Sequence, residues 1–256
     1  MKGAAVSVLL TGASGGIGQA MARRLLAAGA AVLGVGRGEQ PAQSTAQGTI
    51  QGTSQDLSAW VQADLAMADG VARVTEAATA WRANVVVHAA GLPAFGAMAN
   101  TPPAQMQAVL QTNLLAPMAL TQALLPHLLR QPHAQVVFVG SALGRIGVPG
   151  FSVYGASKAG LHGFAEALRR ELAGTSVRVQ TLGPRSTRTA FNGSAVEAFN
   201  LATGTAMDRP EAVAEALLHL LESGQAECFL GFPERLAVRL NGALGAWLDK
   251  GFGKHR

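Results

Sequence analysis

The chain has 256 residues, 49% of them apolar and 14% charged, so much of it must be interior or interface. Its formal charge of +5 biases it mildly toward anionic ligands, but the basic residues form no block and carry no interleaved aromatics, which argues against a nucleic-acid partner. The length suits one α/β domain, the single Cys228 excludes an internal disulfide framework and suits a reducing cytoplasm, and no uninterrupted apolar run approaches the ~20 residues that span a bilayer.

Short apolar runs alternate with helical patterns from the start. Ala5–Leu10 follows Met1-Lys2-Gly3 in the manner of a short secretory signal, yet it runs straight into a glycine-rich turn and reads as the first core strand. Helix 17–28, strand 31–35, strand 59–62, helix 69–81, strand 85–88, helix 103–130, strand 135–139, helix 151–173, strand 177–182, helix 209–221 and strand 228–232 follow. Near-continuous Val/Leu/Ala strands separated by helices predict a doubly wound parallel sheet of about seven strands with helices on both faces, in a single domain over 1–256. The stretch 38–58, rich in Gln, Thr, Ser and Gly, reads as an exposed connection in place of a crossover helix.

Thr11-Gly12-Ala13-Ser14-Gly15-Gly16-Ile17-Gly18 joins the first strand to the first helix. Glycines let backbone approach a ligand closely, and a helix N-terminus offers N–H groups to a pyrophosphate. Following a strand and opening a helix, this turn predicts dinucleotide binding. The second strand ends in Gly36-Arg37 without the carboxylate that would bind the ribose 2′-OH of NAD. Arginine there suits the 2′-phosphate of NADP, so NADP(H) is expected over NAD(H). The one tyrosine, Tyr154, stands four residues before Lys158. At that helical spacing the lysine is expected to lower the phenol pKa from about 10 toward neutral, making it a proton donor and acceptor. His127, His133, His162 and His219 have no metal-ligand spacing with acids or cysteines, and no metal site is expected.

Taken together these features resemble the short-chain dehydrogenase/reductase family in its single-domain form, from about Ala5 to about Leu221. The markers stand in family order: the glycine turn at 11–18, Asp64-Leu65, Ala89-Ala90-Gly91, Asn113, Ser141, Tyr154, Lys158, Gly183-Pro184, Thr187 and Thr189. The resemblance implies that Tyr154 protonates a carbonyl oxygen as hydride arrives, that Lys158 tunes it and holds the nicotinamide ribose, and that Ser141 donates a hydrogen bond to the substrate oxygen. It implies that Asn113 bends its helix and holds a water linking Lys158 to solvent. Cofactor contacts are implied for Gly12, Ser14, Gly16, Ile17 and Gly18 in the turn and for Arg37. Asp64 with Leu65 and Ala90 with Gly91 would hold the adenosine half, and Pro184, Thr187 and Thr189 the nicotinamide. It also implies a homodimer or homotetramer through the two long helices.

Three departures from the family pattern stand out. His88 replaces an asparagine after the fourth strand, and either supplies an imidazole hydrogen bond or packs as a strand residue. Arg185 replaces a glycine after Pro184, and either faces the site as a cation or points to solvent. The chain end lacks the usual glycine-rich finish. There, in 233–250, Leu236, Leu240, Leu244, Trp247 and Leu248 share one helical face, which covers the core or a partner, or else makes a peripheral membrane contact. Segment 190–207 reads as a substrate lid whose Phe191, Phe199, Leu201 and Met207 favour an apolar substrate. With Arg145, Arg185 and Arg188 nearby, a 3-oxoacyl thioester or another lipid-like ketone is the expected substrate of an NADP(H)-dependent oxidoreductase. The alternative is an NADPH-binding sensor or interaction protein without turnover.

Overall fold

Alternation along the central strands decides the layering. In β1 (Ser7–Thr11) Val8 and Leu10 face one side of the sheet and Leu9 the other, as side chains of a strand must. A computed structural model describes residues 6–40 and 57–231. The expected amphipathic segment 233–250 and most of the 38–58 connection lie outside the described residues. The other strands are β2 (Ala31–Gly36), β3 (Ala59–Gln62), β4 (Val85–His88), β5 (Ala134–Val139), β6 (Val177–Gly183) and β7 (Glu227–Phe229). All pair in parallel, in the order β3-β2-β1-β4-β5-β6-β7.

Helices cover both faces, as a parallel sheet requires. They are α1 (Gly16–Ala27), α2 (Ala68–Ala80), α3 (Pro103–Leu110), α4 (Ala116–Leu128), α5 (Ser152–Glu171), α6 (Ser194–Ala202) and α7 (Pro210–Ser223). Val8, Leu10, Val32, Val87 and Val137 pack against Met21 and Leu25 of α1 and Leu217 of α7. On the opposite face Leu9, Leu33, Val86 and Phe138 meet Val74 of α2, Leu120 and Leu124 of α4 and Leu161 of α5. Burying each large aliphatic side chain contributes about 1.5–3 kcal/mol.

The chain runs outward through β2 and β3, then returns past β1 to begin β4 on its other side. The carboxyl ends of β1 and β4 therefore part at a topological switch point, where such sheets bind ligands. Thr11 clips that point together. Its hydroxyl accepts from Ala89 N and Ala90 N, both at 3.1 Å, and donates to Val87 O at 3.4 Å.

Two elements differ from expectation. The single helix expected over 103–130 is α3 and α4 joined by a π-turn, Gln111–Leu115, with Asn113 buried at its centre. The continuous run Pro103–Leu128 is long and apolar enough to cross a membrane by length and composition, with a mean hydropathy of 1.3. The sequence reading misses this because it counts unbroken apolar residues. In the fold Leu120, Leu124 and Leu128 are fully buried against the sheet. The second difference is α6, which lies within 190–207.

Candidate active site

A cavity of about 1400 Å³ opens along the carboxyl ends of the strands, from Arg37 and Asp64 at one end to Phe151 and Asn200 at the other. Ligand pockets commonly measure about 300–1000 Å³, so this one has room for a large ligand and a second small one. Every residue named from the sequence as catalytic or cofactor-binding lines it, with Asn113 the exception.

At the glycine turn the lining is backbone. Gly12 holds φ +68°, and a Cβ there would lie 2.7 Å from the backbone of Ala90. A Cβ on Gly18 would lie 2.1 Å from Gly12 O. Both positions need glycine so that turn, helix and β4 close on one another. Helix α1 starts without a side-chain cap, and its first-turn residues Gly16, Ile17 and Gly18 line the cavity. Such N–H groups and the helix dipole suit a diphosphate. An uncapped helix start, a backbone floor with no room for side chains and a long cavity together fit a dinucleotide. Gly12, Ser14, Gly16, Ile17 and Gly18 would hold its phosphates, and Arg37, Asp64 and Leu65 the adenosine end. Ala90 and Gly91 form the floor, Pro184 and Thr187 line the cavity as well, and Thr189 stands against the glycine turn, where a Cβ on Gly16 would lie 2.6 Å from its Cγ2.

Tyr154 and Lys158 lie one turn apart on α5, as their spacing predicts. Lys158 is buried and its Nζ donates to Val139 O at 2.9 Å, 5.8 Å from the centroid of the Tyr154 ring. Burial lowers the ammonium pKa to about 8. The phenol is pushed up to about 12 by burial, partly offset by a hydrogen bond from Ser141. This overturns the expectation that the lysine brings the phenol toward neutrality. Desolvation disfavours the phenolate more than a cation tethered to a carbonyl favours it. Ser141 is oriented by the backbone, because its Oγ accepts from Leu143 N at 3.1 Å in the short turn 142–144.

Asn113 stands behind the cavity wall. Its Oδ1 accepts from Leu92 N at 2.7 Å, and its Nδ2 donates to Leu92 O at 3.0 Å and to Ser157 Oγ at 3.1 Å. Ser157 in turn donates to Tyr154 O at 2.7 Å. Asn113 thus joins the loop after β4 to the turn of α5 that carries the phenol, as a positioning residue. The sequence reading passes over Ser157 and Thr11, although both lie inside the motifs it singles out.

Two of the three departures, His88 and Arg185, lie within the described residues. His88 is buried, stacks on Phe138 at 4.9 Å and 7°, and hydrogen-bonds Thr121 Oγ1 at 2.9 Å; burial lowers its pKa to about 3. The packed alternative holds, and the ring does not line the cavity. Arg185 does line it but follows neither alternative: its Nη2 donates to Asp208 Oδ1 at 2.7 Å, with both side chains largely buried. Arg145 turns instead to His162, and Arg188 lies exposed outside the cavity. Of the three arginines, Arg185 alone therefore lines the cavity, and it does so tied to Asp208. Of the four expected lid residues, Phe191 lines the cavity while Phe199, Leu201 and Met207 do not. For Phe199 and Leu201 the helical period of α6 is the reason, since it turns Val196 and Asn200 inward and leaves Leu201 85% exposed.

Comparison with known proteins agrees with this geometry. The family model described as short chain dehydrogenase matches residues 6–199. The chain is 33% identical over 180 residues to the ketoacyl reductase HetN of Nostoc sp., covering 70% of this chain and 62% of that protein, so it spans less than two thirds of that relative's length. It is 32% identical over 246 residues to dehydrogenase/reductase SDR family member 7B of Bos taurus, covering 91% of this chain and 76% of the relative. A short chain dehydrogenase from Burkholderia cenocepacia, solved in complex with NADP, superposes with a TM-score of 0.81 over 97% of each chain, and at 22% identity it supports the fold alone. With a family match over three quarters of its length and the fold to go with it, this chain belongs to the short-chain dehydrogenase family, oxidoreductases that interconvert alcohols and carbonyl compounds with a nicotinamide cofactor.

Proposed function

We propose that the protein is an NADP(H)-dependent carbonyl reductase acting on an apolar ketone. The observation that carries this reading is the convergence of Ser141, Tyr154 and Lys158 on one cavity whose other end is a glycine-lined, uncapped helix start. When bound, the nicotinamide dinucleotide supplies the hydride. A phenol with a pKa near 12 stays protonated at neutral pH, so Tyr154 holds a proton at Oη ready for the substrate oxygen, and Ser141 donates a second hydrogen bond there. Lys158, cationic below about pH 8, supports the phenolate left behind, which then recovers a proton from water. This arrangement favours reduction at neutral pH. Alcohol oxidation needs the phenolate and gains as pH rises.

Arg37 supports NADP(H) over NAD(H), since it lines the cavity at the end of β2 where a carboxylate would repel a 2′-phosphate. The name of the HetN relative favours a 3-oxoacyl compound as a second reading of the substrate. Apolar Leu110, Leu115 and Leu129, exposed along the α3–α4 run, support a homodimer or homotetramer, and the lone cysteine a cytoplasmic setting. We place 190–207 as the lid that closes over substrate. The decisive experiment is Tyr154→Phe. Ketone reduction is expected to fall by about 10²–10⁴-fold while NADPH affinity, read by fluorescence titration, stays within about twofold. Retained turnover sinks the assignment, and NADPH binding by a wild-type protein that reduces no carbonyl compound favours the sensor.

A further inference from the structure

The substrate end of the cavity carries a run of aromatic rings drawn from separate elements. Phe95 comes from the loop after β4, Phe151 and Tyr154 from the start of α5, and Phe191 from the segment after β6. Phe95 and Phe151 lie 4.7 Å apart at 51°, Phe151 and Tyr154 6.5 Å at 63°, and Tyr154 and Phe191 6.0 Å at 61°. Phe199 of α6 stands behind this wall, 5.4 Å from Phe95 and 5.7 Å from Phe151. Gly150 presses from another side, where a Cβ would come within 2.6 Å of the Phe95 ring. Phe95 and Phe151 are thus held in place whether or not a ligand is bound.

Fastening α6 explains Phe95, Phe151 and Phe199. It does not explain Phe191, which is 37% exposed and lies edge-to-face with Tyr154. Phe151 and Phe191 flank the phenol, so they border whatever group is attached to the carbonyl that the phenol serves. Apolar side chains make up much of the rest of this end, namely Leu92, Ala94, Leu143, Ile146, Val148 and Val196, with the uncharged Asn192, Asn200 and Thr205 beside them. Of the charged side chains there, Arg185 is engaged by Asp208 and Lys158 lies beneath the tyrosine. A carboxylate buried against this wall would lack a partner among the described residues, at a cost far above what the wall returns. Neighbouring rings along the wall are tilted to one another by 51° to 63°. An alkyl group would gain burial alone from such a surface, whereas a flat ring also gains edge-to-face attraction.

We infer that the aromatic wall selects an uncharged ketone bearing a planar unsaturated ring next to its carbonyl, with Phe151 and Phe191 as the specificity-determining residues. The inference rests on the reductase reading and narrows its substrate class.

The test compares three eight-carbon ketones, phenyl methyl ketone, cyclohexyl methyl ketone and 2-octanone, by NADPH oxidation with the full chain. Intrinsic reactivity cancels when the phenyl-to-cyclohexyl ratio of kcat/KM in a variant is divided by that in the wild type. Phe191→Leu and Phe151→Leu keep an apolar side chain and remove the ring. Each is expected to lower that ratio by about threefold to tenfold, with NADPH affinity unchanged. A ratio within twofold of wild type in the Phe191 variant, or an equal loss for all three ketones, overturns the inference and leaves the reductase reading standing. Failure to reduce any of the three, despite NADPH binding, overturns both.

Discussion

Near β2 the cavity is made of backbone: glycines whose missing side chains would collide with neighbouring main chain, and a helix start with no cap of its own. Near α6 it is made of side chains from positions 95, 151, 154, 191 and 196, brought together from four parts of the chain and held by rings and an ion pair. A backbone site recognises what every dinucleotide shares, the phosphates, and tolerates little change. A side-chain site recognises what differs between substrates, and single substitutions retune it. One half of the cavity therefore accounts for membership of a family and the other for the individual enzyme.

Substitutions at the two ends should separate accordingly. Gly12→Val is expected to be the most damaging at the backbone end. It forces a branched residue to φ +68° against the Ala90 backbone, and titration should show the dinucleotide Kd rising about 30-fold or more. An unchanged Kd would mean that the turn is less committed than its geometry implies.

Beneath that end, His88 should make stability depend on acid. Its folded-state pKa of about 3 lies below the ordinary 6.5, so the unfolded chain takes up the proton first and stability falls as pH drops from about 6.5 toward 3. Urea unfolding should show a loss of about 1.6 kcal/mol between pH 6.5 and pH 5 from this group. His88→Gln should remove most of that slope while leaving dinucleotide affinity at pH 7 unaltered.

Arg37→Ala should cost about tenfold in KM for NADPH and less than twofold for NADH, since the charge-assisted contact is to the extra phosphate alone. Equal effects on both would remove the proposed preference. The smallest effect is expected at the substrate end. Asp208→Asn weakens the tie to Arg185 at the neck of 190–207, which backbone hydrogen bonds from Arg188 to Asp208 O and from Asp208 to Ser186 O also hold. The ketone KM should rise about threefold with little change in NADPH affinity, and limited proteolysis of the segment should quicken.

Reading the sequence succeeds where a local pattern has a local cause. Strand alternation, the glycine turn opening α1 and the four-residue spacing of Tyr154 and Lys158 each follow from the geometry of one element. The strand starts and ends at 59–62 and 85–88 agree with the structure to the residue. It fails where the outcome depends on what lies across the fold. Nothing near Arg185 in the chain announces Asp208, and the lid residues cannot be sorted into inward and outward before α6 is known to be helical.

The phenol shows the division most clearly. Spacing alone puts an ammonium one turn from a tyrosine, and that much the sequence determines. What else the ammonium touches is set across the fold, where Val139 O, a strand carbonyl from another element, accepts from Nζ. The same packing that brings the groups together also excludes water from the phenol. Desolvation is a property of everything around an atom, so the direction of that pKa shift was decided by tertiary structure alone.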